Sequence, residues 1–219
     1  MAKANAIVLS SGGLHSLVTA GLGNREFRIS MVHLKDNRPA AKQAADAFEK
    51  QVAHFKPLKS WMVEAGYLRQ MALPPEYGAS GTSSSSDSQA NLIPLRELQL
   101  LTVAAGFAQQ IRATTILWGV QFDQKATDAI ARVVELQQLM NQVLELMSAE
   151  SPIVIKTPLM GLEDSQVIEL GYQMGLSFNL SWTCQMPGTE TPCMSCPACA
   201  KRIRSFRAAQ LTDTLMTKK

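Results

Sequence analysis

Apolar positions along this chain fall into short blocks separated by stretches of helical spacing. Ala6-Ile7-Val8-Leu9 reads as a buried strand, and Leu17-Val18-Thr19-Ala20-Gly21-Leu22 as the start of a helix. Arg28 to Leu34 alternates well enough for a second strand. Ala41, Ala44, Ala45, Phe48, Val52 and Phe55 then recur at helical spacing within Pro39 to Phe55, and Leu58 to Val63 fits a third strand. Leu98 to Gln110 predicts a helix, Thr114 to Val120 a buried strand, Lys125 to Met147 one long helix and Ile153 to Ile155 a last strand. Its partner helix runs from Ser165 to Met174, opened by Glu163, Asp164 and Ser165 as capping residues. Strands alternating with helices are the signature of βαβ units and a parallel sheet, with ligands at the carboxyl ends of the strands. There is no internal repeat.

Two stretches depart from this rhythm. Gly78 to Ala90, with Ser83 to Ser86 in a row, has little to bury; it reads as a surface loop or as a lid over a ligand. In the long helix, Ile130, Val133, Val134, Leu136, Met140, Val143, Leu144 and Met147 form too wide a set for one exposed side. That helix is either covered within one copy or meets a second copy, as in a homodimer.

The chain has 219 residues, enough for one large domain or one domain with an appendage, and 46% of them are hydrophobic, so a sizeable core is expected. A formal net charge of +3 does not argue for nucleic acid. No run reaches the length of a membrane span, and the apolar stretch near Met1 is too short for a signal peptide. A cytoplasmic protein is expected.

Candidate chemistry sits near the two ends. Ser10-Ser11-Gly12-Gly13-Leu14-His15-Ser16 joins the first strand to the first helix. A tight Ser/Gly turn at a helix start is an anion site, and phosphate is its usual occupant. The alternative is an ordinary strand-to-helix turn. The turn lacks the Lys-Ser/Thr ending of a Walker loop and the spacing of a dinucleotide fold. All 4 cysteines fall between positions 184 and 199. Cys184, Cys193, Cys196 and Cys199 are spaced C-x8-C-x2-C-x2-C, which fits a four-thiolate structural zinc site; an iron–sulfur cluster is the competing reading. The metal would pin the tail and its basic residues Lys201, Arg202, Arg204 and Arg207. These form either a solvated helix face or a clamp on phosphate or a substrate carboxylate.

Taken together these marks resemble the 7-cyano-7-deazaguanine synthase (QueC) family of the ATP-pyrophosphatase superfamily, nearly end to end. They are Ser11 to Ser16, Ile93-Pro94-Leu95-Arg96, Ile116-Leu117-Trp118-Gly119-Val120, Thr157-Pro158-Leu159, Ser181-Trp182-Thr183-Cys184, and the cysteines followed by Arg202 and Phe206. The resemblance implies an α/β, doubly wound parallel sheet of the PP-loop ATPase kind over residues 1–180, with a small zinc-binding element over 181–219. It also implies a reaction. ATP adenylates 7-carboxy-7-deazaguanine, ammonia displaces AMP to give an amide, and a second activation gives the nitrile, with Mg²⁺ accompanying ATP. ATP would lie on Ser10, Ser11, Gly12, Gly13, Leu14, His15 and Ser16. His15, Arg96 and Asp123 are the candidate catalytic residues, and Lys35, Arg38 and Arg202 the candidate substrate contacts.

The chain departs from the family at specific points. His15 stands where the family carries Asp; imidazole is a poor Mg²⁺ ligand but can donate one hydrogen bond to phosphate. The turn after the second strand reads Leu34-Lys35-Asp36-Asn37-Arg38, and Arg96 is followed by Glu97. The family's Tyr-Pro-Asp-x-Arg segment is missing; Gln121-Phe122-Asp123-Gln124 leads straight into the long helix. These departures leave three alternatives beside the nitrile-forming ligase: a variant that joins the acid to a protein or other amine and stops at the amide, an inactive nucleotide-binding module, and sulfur transfer onto tRNA. The last is disfavoured because no cysteine is left free by the presumed metal and the basic charge is thin.

Overall fold

The computed structural model describes residues 3–36, 38–71, 95–122, 126–147 and 152–217. The Ser-rich stretch 78–90, Ile93, Pro94 and Asp123 lie outside them. Five strands form one sheet: β1 (Asn5–Leu9), β2 (Arg28–Lys35), β3 (Ser60–Glu64), β4 (Thr115–Trp118) and β5 (Val154–Lys156). Their order is β3-β2-β1-β4-β5, all parallel, with Leu9 level with Val32 on one side and Trp118 on the other. The helices are α1 (Leu14–Glu26), α2 (Ala41–Phe55), α3 (Tyr67–Gln70), α4 (Arg96–Gln110), α5 (Thr127–Met147), α6 (Asp164–Gln173) and α7 (Pro197–Ala208).

Why the sheet is covered on both faces follows from strand periodicity. Successive side chains point to opposite sides. Ala6, Val8, Ile29, Met31 and Leu117 enter the layer that holds Leu17 of α1, Phe48 of α2, Ile168 of α6 and Phe206 of α7. Ile7, Leu9, Val32, Leu34, Ile116 and Trp118 enter the layer of Leu68, Leu101, Val133 and Met140, carried by α3, α4 and α5. β1 and β4 are therefore apolar in near-unbroken runs, as the sequence reads, while β2 is buried from Ile29 to Leu34 although Ser30 and His33 interrupt its apolar side chains. The edge strand β3 instead alternates exposed and half-buried positions. The doubly wound parallel sheet expected from the resemblance is the fold observed.

The strand order places the site. The chain moves outward from β1 to β2 and β3, then returns to the other side of β1 to lay down β4. The crevice between the carboxyl ends of β1 and β4 is thus the topological switch point, where open α/β sheets bind ligands. The loop Ser10–Gly13 follows β1 there, and Gly119 to Phe122 follow β4.

Along α5 the wide apolar set divides into two rows. Val133, Met140 and Leu144 pack on the sheet, while Leu139, Val143, Leu146 and Met147 are exposed. After α6 a 3-10 turn at Phe178–Leu180 carries the chain back to the site, where the Trp182 amide donates to the Gly12 carbonyl at 2.9 Å. No helix is long and apolar enough to cross a membrane, among the described residues.

Candidate nucleotide site and metal centre

The loop after β1 is held from behind, leaving its front to a ligand. Gly13 is the N-cap of α1, with extended backbone, so the helix begins at Leu14 rather than at Leu17. The amides of Leu14, His15 and Ser16 then have no acceptor within the helix, and the positive end of its dipole lies with them. Behind them, the Gly13 carbonyl accepts from the Leu17 amide at 3.1 Å and from Ser16 Oγ at 3.0 Å. Gly12 takes φ +75°, and a Cβ there would sit 2.1 Å from the Ala44 carbonyl oxygen of α2. The left-handed backbone and the close approach of α2 both require glycine at this position.

Gln51 of α2 ties this loop to the tail. Its Oε1 accepts from Ser10 Oγ at 3.0 Å, and its Nε2 donates to the Leu180 carbonyl at 3.1 Å; the residue is fully buried. Beside it, buried His33 donates from Nδ1 to the Ser10 carbonyl at 2.8 Å and stacks on Phe48. Burial keeps its pKa below the usual histidine range, against the pull of that hydrogen bond. Q51M keeps the volume of Gln51 but removes the donor to the Leu180 carbonyl and the acceptor of the Ser10 hydroxyl, which keeps only the Gly12 amide. It is expected to cost about 2 kcal/mol in urea unfolding, the typical penalty for buried groups left without partners.

His15, the odd member of the loop, is not isolated. Its Nε2 lies 2.7 Å from Asp164 Oδ1, and the Lys201 ammonium lies 2.8 Å from Asp164 Oδ2. Burial of Asp164 opposes its charge, but the hydrogen bonds from His15 and Lys201 prevail and hold its pKa at about 2. A carboxylate depressed in the folded state stabilises the fold above its unfolded pKa, near 3.8 for Asp, and that stability is lost as pH falls toward 2. The stability gap between the wild-type protein and D164N is therefore expected to narrow by about 2 kcal/mol between pH 6 and pH 2, measured by urea midpoints. Metal loss in acid affects both proteins and cancels.

At the ends of β2 and β4 a second cationic group gathers. Buried Asp36 accepts from Arg38 Nε at 2.7 Å and lies 3.9 Å from Arg96 Nη2. Lys35 pairs with Glu64 across β2 and β3 at 2.9 Å. Beyond Arg96 a cavity of about 360 Å³ is lined by Trp118, Val120, Phe122, Arg132 and Leu136. Glu97 also lines it, 3.8 Å from Arg96, so the cavity offers two arginines, one carboxylate and apolar and aromatic walls, a lining for a planar polar ligand. Among the described residues here, Asp36 and Asp164 both hold cations, which leaves neither as a ready ligand for Mg²⁺.

In the tail the Sγ atoms of Cys184, Cys193, Cys196 and Cys199 all lie within 4.8 Å of one another, with Cys193 and Cys199 4.0 Å apart. Four sulfurs about 2.3 Å from one zinc ion would be about 3.8 Å apart, so the set fits a tetrahedral metal. At Cys193 the backbone favours the thiolate form. The Cys193 amide donates to Cys184 Sγ at 3.4 Å, and the Cys196 amide to Cys193 Sγ at 3.3 Å. The amides of Cys196 and Ser195 pull the Cys193 thiol down to about 6. Cys196 is also the N-cap of α7 and Pro197 its first residue, which puts Cys199 in the first turn, where burial and the neighbouring Cys196 thiol push its own thiol up.

Arg202 is a correction. The sequence offers it as a substrate contact, but its side chain is 1% exposed and all five of its N–H donors are used internally. Two go to Asp213, and the others to Ser181 Oγ, Thr183 Oγ1 and the Phe178 carbonyl. No donor remains for a substrate. Arg202 instead ties α7 to the segment Phe178–Thr183 and to Asp213.

Asp36, Gln51, Arg132, Asp164 and Asp213 are site or support residues that sequence reasoning missed. Asp164 was legible only as a helix-start residue, and its partner His15 is 149 positions away.

Comparison with known proteins covers the whole of this arrangement. The profile described as "Queuosine biosynthesis protein QueC" matches residues 5–210. A 7-cyano-7-deazaguanine synthase of Chlorobium phaeobacteroides strain DSM 266 is 28% identical over 217 residues, covering 96% of this chain and 95% of that protein. A second, from strain BS1 of the same species, is 28% identical over 222 residues, with the same coverage of 96% and 95%. Among solved structures, the U34-tRNA thiolase NcsA of Methanococcus maripaludis with its [4Fe-4S] cluster superposes with a TM-score of 0.52 at 14% identity; it is matched over 95% of this chain and 65% of its own. That likeness is one of fold alone. With the profile spanning both the phosphate loop and the cysteine cluster, the chain belongs to the QueC family of queuosine biosynthesis proteins.

Proposed function

We propose that the protein is an ATP-dependent ligase that activates 7-carboxy-7-deazaguanine and joins it to ammonia, giving first the amide and then the nitrile, 7-cyano-7-deazaguanine. The observation that carries this reading is the loop Ser10–Ser16: open amides at the start of α1, at the switch point of the sheet, in a chain matched to the family over residues 5–210.

In the first step a substrate carboxylate oxygen attacks the α-phosphorus of ATP, and pyrophosphate leaves. The amides of Leu14, His15 and Ser16 hold the departing phosphates, and the charge they gain is met by the α1 dipole and by Arg96. Ammonia then attacks the acyl carbon and AMP leaves with the carboxylate oxygen. In the second round the amide oxygen attacks ATP in the same way, and AMP departs as the C≡N bond forms and a proton is released. Mg²⁺ enters on the phosphate oxygens of ATP, as part of the substrate. Arg96 and Arg132, which both line the cavity beyond β4, suit the carboxylate of a flat bicyclic acid, with Trp118 and Phe122 as apolar walls. Lys35 and Arg38 stand at the end of β2, where substrate would bridge to the loop.

Zinc is the metal we assign to the four cysteines; its role is structural, because four thiolates leave no position for water. The exposed row on α5 supports a homodimer. A second reading, an enzyme that couples the acid to another amine and stops at the amide, is favoured by the short connection from Gln121 into α5.

Incubation with ATP, Mg²⁺, the deazaguanine acid and ammonia, read by mass spectrometry, tests both. Nitrile formation with two AMP per product supports the first reading. Accumulation of amide supports the second, and no AMP release at all overturns both.

A further inference from the structure

Asp164 opens α6, yet it does not cap that helix. Glu163 is the N-cap and exchanges hydrogen bonds with Gln166 in a capping box, so the Asp164 carboxylate is free of helix duty. Each of its oxygens takes a different cation: Oδ1 meets His15 from the phosphate loop and Oδ2 meets Lys201 from α7. Because a carboxylate only accepts, Nε2 is the imidazole nitrogen that carries the hydrogen toward Asp164. In the imidazolium form that pairs with Asp164 both ring nitrogens carry hydrogen, so Nδ1–H is the donor left for a ligand, on a side chain that is 33% exposed in the first turn of α1. Lys201, 55% exposed, is steered to the same place by the other oxygen.

We propose that Asp164 is a positioning residue for the nucleotide site, holding His15 and Lys201 side by side at the rim of the loop as a paired grip on a pyrophosphate group. This rests on the ligase reading and extends it. The protein meets the leaving pyrophosphate with two of its own donors, one of them delivered by the metal-braced tail.

The probe is inorganic pyrophosphate, titrated by calorimetry into the full-length, metal-loaded protein, with ATP as a second ligand. D164N releases both donors, and pyrophosphate affinity is expected to fall about tenfold, while D164E retains most of it. H15N weakens binding too. The double variant D164N/H15N loses less than the product of the single effects, since Asp164 acts in part through His15. A purely structural Asp164 would lower the melting temperature and leave the affinity untouched; that result, or strictly multiplicative losses, overturns the proposal. If D164N does not fold, K201Q carries the test, and wild-type affinity in K201Q overturns it equally. Wild-type protein that binds neither ATP nor pyrophosphate removes the ligase reading as a whole; wild-type binding with an unaffected D164N removes this inference alone.

Discussion

Replacing Cys199 by serine is expected to strip the protein of its metal and, with it, of its grip on nucleotide. Cys199 is fully buried and lies in the first turn of α7, so its loss opens the tetrahedron from the inside. Structural zinc contributes apparent binding free energies of roughly 10–16 kcal/mol in small peptides, which makes this the largest single term available to the tail. Metal analysis should fall from about one equivalent per chain to a small fraction. The melting temperature should drop by more than about 10 °C. The effect should not stop at the tail. Trp182 gives its amide to Gly12, and its indole N–H to the Cys184 carbonyl, so the phosphate loop loses a backbone partner when the cysteines let go. ATP affinity measured by calorimetry should therefore fall about tenfold or more. Full metal occupancy in C199S, or metal loss without weaker ATP binding, would count against this coupling. The same metal analysis separates zinc from an iron–sulfur cluster, which would also colour the protein.

The second large effect is expected at Arg202. Truncating it to methionine in R202M leaves the Asp213 carboxylate buried beside Ser181 and Thr183 with its guanidinium partner gone. Breaking a buried pair from one side costs about 3–5 kcal/mol, far more than losing a surface pair, because the surviving charge has no water to turn to. R202K should recover little. A lysine ammonium has three donors where five are used, and it cannot grip both Asp213 oxygens while reaching Phe178. Urea unfolding of R202M, R202K and the double variant R202M/D213L decides the point. The double variant should be more stable than R202M alone, since it removes the stranded charge, and a larger loss in the double would mean that Asp213 has other duties.

Much of this molecule could be read in its sequence, and the parts that could not share a cause. The central strands near Ala6, Arg28 and Thr115 announce themselves because central parallel strands need apolar side chains on both faces, whereas the edge strands near Ser60 and Val154 show only alternation. The loop and the cysteine cluster were legible because their chemistry depends on short spacings. Helix α3, of four residues, has no room for a period. The basic run from Lys201 to Arg207 looked uniform, yet it divides by position on one helix: Lys201 reaches Asp164, Arg202 turns inward, and Arg204 and Arg207 face solvent. That division depends on Asp213 and Asp164, which no local pattern connects to them. His15 is the sharpest case. Against the family it reads as the loss of a carboxylate, whereas in the fold the carboxylate is supplied from α6. Asp123 remains a proposal, outside the described residues.

The meeting of Gly12 with Trp182 also bears on how the protein comes into being. During synthesis the loop after β1 leaves the ribosome long before Trp182, which supports it through Gly12. β1, moreover, needs β4 to close its second side, a pairing between strands about a hundred residues apart. A nascent chain that has not reached Trp182 therefore carries the turn with α2 and Gln51 behind it but without the backbone partner of Gly12, and only polypeptides translated through Trp182 complete that support.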